Sequence, residues 1–440
     1  MLTLHVPVSG RPPQEPAIGP APWIVASPPG PMTALALAHD RRAAASPSGW
    51  PYPLVVRRAR GSVVEDLDGN RYLDFTAGAL AFVTGHAHPM VIRAVHEQVE
   101  RMAKACSGEF TSEPLIGLAR KLAQLAPTRG ENRVLFANNR MQSLEAVLRM
   151  ARRQGRRNRV ITFDGNSHNR GLAAITLELS RPRHRKRIPP AAWIVDSLPY
   201  GSVAAVADYF RSGLGDEVAV VFAEPMLTEE DYHVPAADFL PELRRVCDKH
   251  GILLVIDETR TGMGRTGRMF GCEHFDAQAD ILLAATGLNS GMPIHALVAP
   301  EALLSTDEGL LSAPYIGNPV SCAASLASVE ALEKHLIANT ARLAPVFISK
   351  LEQIDGRRRC LGSPRGMGLL LAVDVRKPRR SQTPASQLRE RIITESFRRG
   401  LLLWGCGETT IRFCPPLCIN RVQLEVGLDV FEEAVATVAT

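Results

Sequence analysis

The chain of 440 residues predicts an α/β protein, with a large domain on a mostly parallel sheet and a smaller α+β domain. Two patterns and the length predict it. Short apolar runs at 133–137, 159–163, 218–224, 252–258 and 281–285 have the character of buried parallel strands. Helical stretches, SLEAVLRMARRQ (143–154) and LPELRRVCDKHG (240–251), lie between several of them. The length exceeds that of one ordinary domain, and a hydrophobic share of 45% is ample for a sizeable core.

Taken in order, residues 1–30 are rich in Pro and Gly and should lie against another element or stay mobile. LVVRRARGSVVEDLDGNRYLDF (54–75) alternates apolar residues around the turn signal DLDGN, which predicts a meander of short strands. PMVIRAVHEQVERMAKA (89–105) and PLIGLARKLAQLA (114–126) have helical periodicity. The five strands follow. A long helix is expected after GNPVSCAASLASVEALEKHL (317–336), then strands near GLLLAVDV (368–375) and TTIRFCPP (409–416). The expected organisation is an amino-terminal segment at 1–30, the smaller domain in two parts at 31–84 and 331–440, and the large domain at 85–330.

Composition excludes several classes of function. The net charge of +6 is mild, and RPRHRKR (181–187) is the one dense basic run. No aromatics interleave with it and no nucleic-acid-binding signature accompanies it, so a solvated loop is expected and nucleic acid is not. Eight cysteines at 106, 247, 272, 322, 360, 406, 414 and 418 form no CxxC pair, which suits a reduced, cytoplasmic protein with incidental thiols. The first residues lack a basic stretch followed by a long apolar core, so no secretory signal is expected. No uncharged apolar run reaches about 18 residues, so no membrane span is expected either.

Open α/β sheets bind ligands beyond the carboxyl ends of their strands. Chemistry is therefore sought at Asn138 to Gln142, Asn166 to Arg170, Glu224, Asp257 to Arg260, and Thr286.

These same positions carry a family likeness. The stretch DETRTGMGRTGRMFGCEHFDAQADILLAATGLNSGMP (257–293), together with DLDGNRYLDFTAG (66–78), GHAHP (85–89), GNPVSCAA (317–324) and FRRGLLLWGCGETTIRFCPPL (397–417), resembles the class III aminotransferases. These are pyridoxal phosphate (PLP) enzymes of fold type I, and the likeness is greatest to the 4-aminobutyrate and acetylornithine branch. It covers roughly residues 21–438. It implies a fold-type-I PLP-transferase architecture, a dimer, and a PLP site.

The chemistry of that cofactor states what the site requires. A lysine amine forms the imine, a carboxylate beside the pyridine nitrogen keeps the ring protonated, and a glycine- and hydroxyl-rich turn at a helix amino end holds the phosphate. Asp257 stands at the family's pyridine carboxylate. The other requirements are not met. The family's lysine falls on Thr286, and no lysine occurs between Lys249 and Lys334. The phosphate turn reads NNRMQS (138–143), with Arg140 in place of a glycine and Met141 in place of a hydroxyl. The stacking aromatic falls on Ser167, the glutamine after the carboxylate on Arg260, and the phosphate-binding threonine on Pro314. Glu224, His168 and Arg412 match the family, Arg412 at the arginine for the substrate carboxylate, where a planar fork suits the ligand. Arg140, Arg260 and Arg412 together are expected to make the pocket more positive than the family's.

Three readings follow. The first is a divergent enzyme or pseudoenzyme that binds a small anionic metabolite, amino-acid-like or phosphorylated, through these arginines and does not transaminate by the usual route. The second holds PLP or pyridoxamine phosphate noncovalently over Asp257, with His168 or an exogenous amine moving the proton. The third is a non-catalytic subunit. The expected assembly is a homodimer, or a heterodimer with an active paralogue.

Overall fold

A computed structural model of the chain describes residues 18–43, 52–104, 110–153, 157–166, 193–229, 231–288, 290–304, 315–377 and 384–438. Ser167, His168, Pro314 and the basic run at 181–187 lie outside the described residues.

The predicted meander is present as β1 (Val56–Arg60), β2 (Val63–Asp66) and β3 (Arg71–Asp74), paired antiparallel. The described part of the amino-terminal segment, from residue 18, does lie against another element. Trp23 and Arg71 exchange backbone hydrogen bonds at 2.8 Å, and the Asn70 side chain accepts from the amides of Val25 and Ala26.

The large sheet has seven strands in the order β4-β10-β9-β8-β7-β5-β6. These are β4 (Asn132–Ala137), β5 (Arg159–Phe163), β6 (Ile194–Leu198), β7 (Val218–Ala223), β8 (Leu253–Asp257), β9 (Ile281–Ala284) and β10 (His295–Pro300). All six residues of β7 are buried, as expected of a central strand covered on both faces. The strands between β9 and β6 pair in parallel. One feature departs from the expectation. β10, which the sequence reading missed, is inserted between β4 and β9 and runs antiparallel to both. Two reversals leave β4 pointing with the rest, so Asn138 still emerges at the common carboxyl edge and His295 joins it from the start of β10. The edge strand β6 was also missed. Its sequence, IVDSL, carries two polar residues and is half-buried at most, so it lacks the buried-run signature.

The helices relevant to the site are α1 (Pro89–Arg101), α2 (Glu113–Leu125), α3 (Arg140–Arg153), α4 (Phe239–His250) and α5 (Pro319–Ala331). α4 ends on Gly251 at φ 61°, the left-handed conformation that lets the chain turn directly into β8. A π-helical turn at Leu332–Leu336 joins α5 to a further long helix, Ile337–Arg357. α3 begins three residues earlier than the apolar pattern indicated. Asn139 caps it, its Oδ1 accepting the Gln142 amide at 3.0 Å, while Gln142 Oε1 accepts the Asn138 amide at 2.8 Å. The pair resembles a capping box, except that Gln142 takes the amide one residue before the cap, and it places Arg140 in the first turn.

The carboxyl-terminal strands are β11 (Arg365–Met367), β12 (Leu370–Asp374), β13 (Leu401–Leu402), β14 (Trp404–Cys406) and β15 (Thr410–Phe413). β13 joins the amino-terminal meander beside β3, while the others form a separate antiparallel sheet in the order β11-β12-β15-β14. No described helix is long and apolar enough to cross a membrane.

Candidate functional site

Five of the predicted positions meet at the carboxyl edge of the large sheet. Asp257 is the last residue of β8 and is buried. Its Oδ1 accepts the Thr259 amide at 2.9 Å. Its Oδ2 accepts Nε of Arg140 at 3.0 Å and a closer Nη2 of the same guanidinium. Burial alone would raise the Asp257 carboxyl, but Arg140 and the Thr259 bonds outweigh it and hold it at about 2.

Glu224 follows β7 and is also buried. Thr228 Oγ1 donates to its Oε2 at 3.4 Å, whereas Oε1 has no hydrogen bond and lies 3.8 Å from Arg140 Nη2. Burial, together with the negative charges of Asp257 and Glu229, pushes this carboxyl up to about 7 against the pull of Arg140 and Arg260. Arg260 is half-buried, makes an ion pair with Glu229 and donates to Thr228 Oγ1 at 3.4 Å.

Arg140 and Arg260, expected to make the pocket more positive than the family's, are not free cations here. Arg140 and Arg260 each have a carboxylate partner, so the edge is a strip of alternating charge. Position relative to the sheet was readable from the sequence, but the spatial neighbours of each new cation were not. Met141 is exposed on α3 and takes no part in this strip.

Arg412 is different. It lies on β15, buried, with its guanidinium carbon 4.6 Å from the centre of the Trp404 ring, its register partner on β14. Nε has no hydrogen bond, and Arg412 has no ion pair among the described residues.

Thr286 follows β9, half-buried, and its amide donates to the Thr259 carbonyl at 3.2 Å. Four residues that the sequence reading missed complete the surroundings. Ser143 Oγ and His295 Nδ1 lie 2.8 Å apart beneath the first turn of α3, and burial pushes the His295 imidazole down to about 3, so it is neutral. Glu229 and Tyr232 lie on the loop after β7. No sequence signal marked Tyr232, whereas His295 opens a short apolar run, HALVAP, bounded by prolines.

The residues present do not fit PLP. The carboxylate that would face a pyridine nitrogen is already bonded to a guanidinium. Two amides of the turn that would cradle a phosphate are engaged by the side chains of Gln142 and Asn139. The position that would supply the imine nitrogen is a threonine.

The chain is a member of the class III aminotransferase family: residues 44–435 match its family model. It is 34% identical to the acetylornithine aminotransferase of Methanopyrus kandleri, over 86% of this chain and 93% of that protein. It is 30% identical to the alanine/serine racemase of Pyrococcus horikoshii (95% and 94% covered) and to a 5-aminovalerate aminotransferase of Pseudomonas aeruginosa (89% and 96%). Among solved structures, ornithine aminotransferase from Toxoplasma gondii superposes with a TM-score of 0.85 at 25% identity, covering 92% of this chain and 95% of that one. The fold-type-I architecture and the class III lineage read from the sequence are thereby shown.

Proposed function

We propose that this protein is a class III fold that has left PLP-lysine transamination and binds a small anionic, amino-acid-like ligand in the old substrate end of the site. One observation carries the reading: the Arg140 guanidinium is bonded to Asp257. A buried carboxylate needs a cation beside it, and here the chain supplies its own. Of these three arginines, Arg412 is the one without a carboxylate partner among the described residues, so the ligand's anionic group binds there rather than to three arginines at once. The relatives' names support the class of ligand, because alanine, serine, 5-aminovalerate and acetylornithine all bear a carboxylate. A phosphorylated ligand is disfavoured, since the amides of the 138–143 turn and the guanidiniums of Arg140 and Arg260 are already engaged.

The protein acts in the cytoplasm, in keeping with the seven free cysteines among the described residues. It assembles as a dimer, with a second copy or an active paralogue, through a surface that includes the exposed Ile92 and Val99 of α1 and Ile116 of α2.

Adding PLP and reducing with borohydride tests the reading. The expected result is no adduct on the wild-type chain, and no transamination by Thr286→Lys with any of the relatives' amino acids. A reducible adduct on the wild-type chain, or robust turnover from Thr286→Lys alone, would overturn it.

A further inference from the structure

The described residues of the stretch after β7, 224–229 and 231–233, are tied down on both sides. The Leu227 amide donates to the His233 carbonyl at 3.0 Å, and the Gly407 amide to the Glu229 carbonyl at 3.2 Å. The Arg365 side chain of β11 donates to the Asp231 carbonyl. These contacts hold the loop over the sheet β11-β12-β15-β14. Tyr232 sits in this loop at φ 57°, in the left-handed region that a bulky side chain rarely adopts. Its ring is fully buried in a small cluster with Leu370, Ala372, Cys406 and Cys414.

That cluster locates the ring beside Arg412. In the sheet register Ala372 is directly opposite Arg412 on one side and Trp404 on the other. Leu370 and Cys414 lie two residues from that row, and Cys406 two residues beyond Trp404. With a side-chain period of two, all of them project from the face that carries Arg412. Two buried polar groups on this face lack hydrogen-bond partners among the described residues: the Tyr232 hydroxyl and Arg412 Nε. Cys414 Sγ lies beside the hydroxyl and, while its own thiol donates to the Thr76 carbonyl at 3.6 Å, can accept from it only weakly. Leaving such donors unpaired is costly unless something accepts from them.

We infer that Tyr232 and Arg412 together receive one ligand carboxylate, which makes Tyr232 a ligand-binding and specificity-determining residue. The inference rests on the reading that an anionic ligand binds at Arg412. The hydroxyl donates one hydrogen bond and the guanidinium the others, so two donors of different geometry converge on one planar group. The ligand class is a small monocarboxylate without phosphate. Its far end faces the Arg260–Glu229 and Arg140–Asp257 pairs.

The test measures binding of 5-aminovalerate, with n-pentylamine and inorganic phosphate as controls, by calorimetry and thermal shift. Tyr232→Phe keeps the ring and removes only the hydroxyl. It should leave the melting temperature of the free protein unchanged or raised, because an unpaired buried group is lost. It should weaken 5-aminovalerate binding by about ten-fold or more, as for a hydrogen bond to a charged group. Arg412→Lys and Arg412→Gln, checked for native folding, should abolish measurable binding. If Tyr232→Phe binds like wild type while the Arg412 variants do not, the role of Tyr232 is refuted and the carboxylate reading stands. If the Arg412 variants bind like wild type, or pentylamine binds as well as 5-aminovalerate, or no probe binds, the underlying reading fails as well. Phosphate binding equal to that of 5-aminovalerate would refute the carboxylate specificity.

Discussion

Replacing Glu224 with glutamine should change how stability depends on pH, in a direction fixed by its surroundings. The folded protein holds this carboxyl at about 7 against an ordinary 4.5, with burial the largest cause. A rise of that size corresponds to roughly 3 kcal/mol of preference for the protonated form. The native state therefore binds more protons than the unfolded chain between 4.5 and about 7, and stability must fall as pH rises through that window. The contribution is fully present below 4.5 and lost above about 7. Glutamine resembles the protonated acid in shape and still accepts the Thr228 hydrogen bond. Glu224→Gln and wild type should have similar stability near pH 5. At pH 8 the variant should be more stable by roughly 3 kcal/mol, or about 3 °C in melting temperature for a chain of this length. Urea melts from pH 5 to 8 measure the difference directly. Parallel curves, or a variant less stable at every pH, would show that Glu224 is ionised throughout and shares Arg140 with Asp257.

Arg140→Met should cost about 3–5 kcal/mol near neutral pH, because it strands the Asp257 carboxylate in a buried site. A urea midpoint within 1 kcal/mol of wild type would show that Asp257 does not depend on Arg140. Ser143→Ala leaves His295 Nδ1 without its hydrogen bond, and should destabilise by about 1–3 kcal/mol. The equivalent loss should not appear in a Met141→Ala control, whose side chain is exposed on the same helix.

The fold was legible because it rests on patterns that survive without partners in view. Buried runs gave β5, β7, β8 and β9, and the turn signals around DLDGN gave the meander. β10 escaped because ALVA between two prolines is too short to separate from a loop, and its antiparallel course has no local signature. The site was legible in its positions and not in its charges. Asp257, Glu224, Arg140 and Arg260 were all placed at the right edge of the sheet. That Arg140 neutralises Asp257 depends on a contact between residues 117 apart in the chain. No periodicity encodes such a contact. The cap was readable in principle, since Asn139 followed three residues later by Gln142 is a helix-start pattern. Recognising it would have moved the start of α3 back to Arg140 and aimed that side chain inward.

That cap gives a physical reason for the departures from the family pattern to occur together. In the PLP enzymes that the chain resembles, the carboxylate at Asp257 faces a protonated ring and the glycine turn faces a phosphate. Loss of the lysine alone would weaken the hold on that ring and expose a buried carboxylate to long periods without a counter-charge. An arginine at position 140 supplies the charge permanently. Beside it, the Asn139 and Gln142 side chains bond amides of the turn. Each change thus removes a need that another would have left unmet. Reversing one in isolation should restore little: a lysine at 286 would face a site whose carboxylate and turn amides are already engaged. The separate state of Arg412, with a stacked indole and no carboxylate, shows that this internal pairing stops short of the end where Tyr232 stands. At one end the charged groups are paired with each other, and at the other Tyr232 and Arg412 keep buried donors without partners among the described residues.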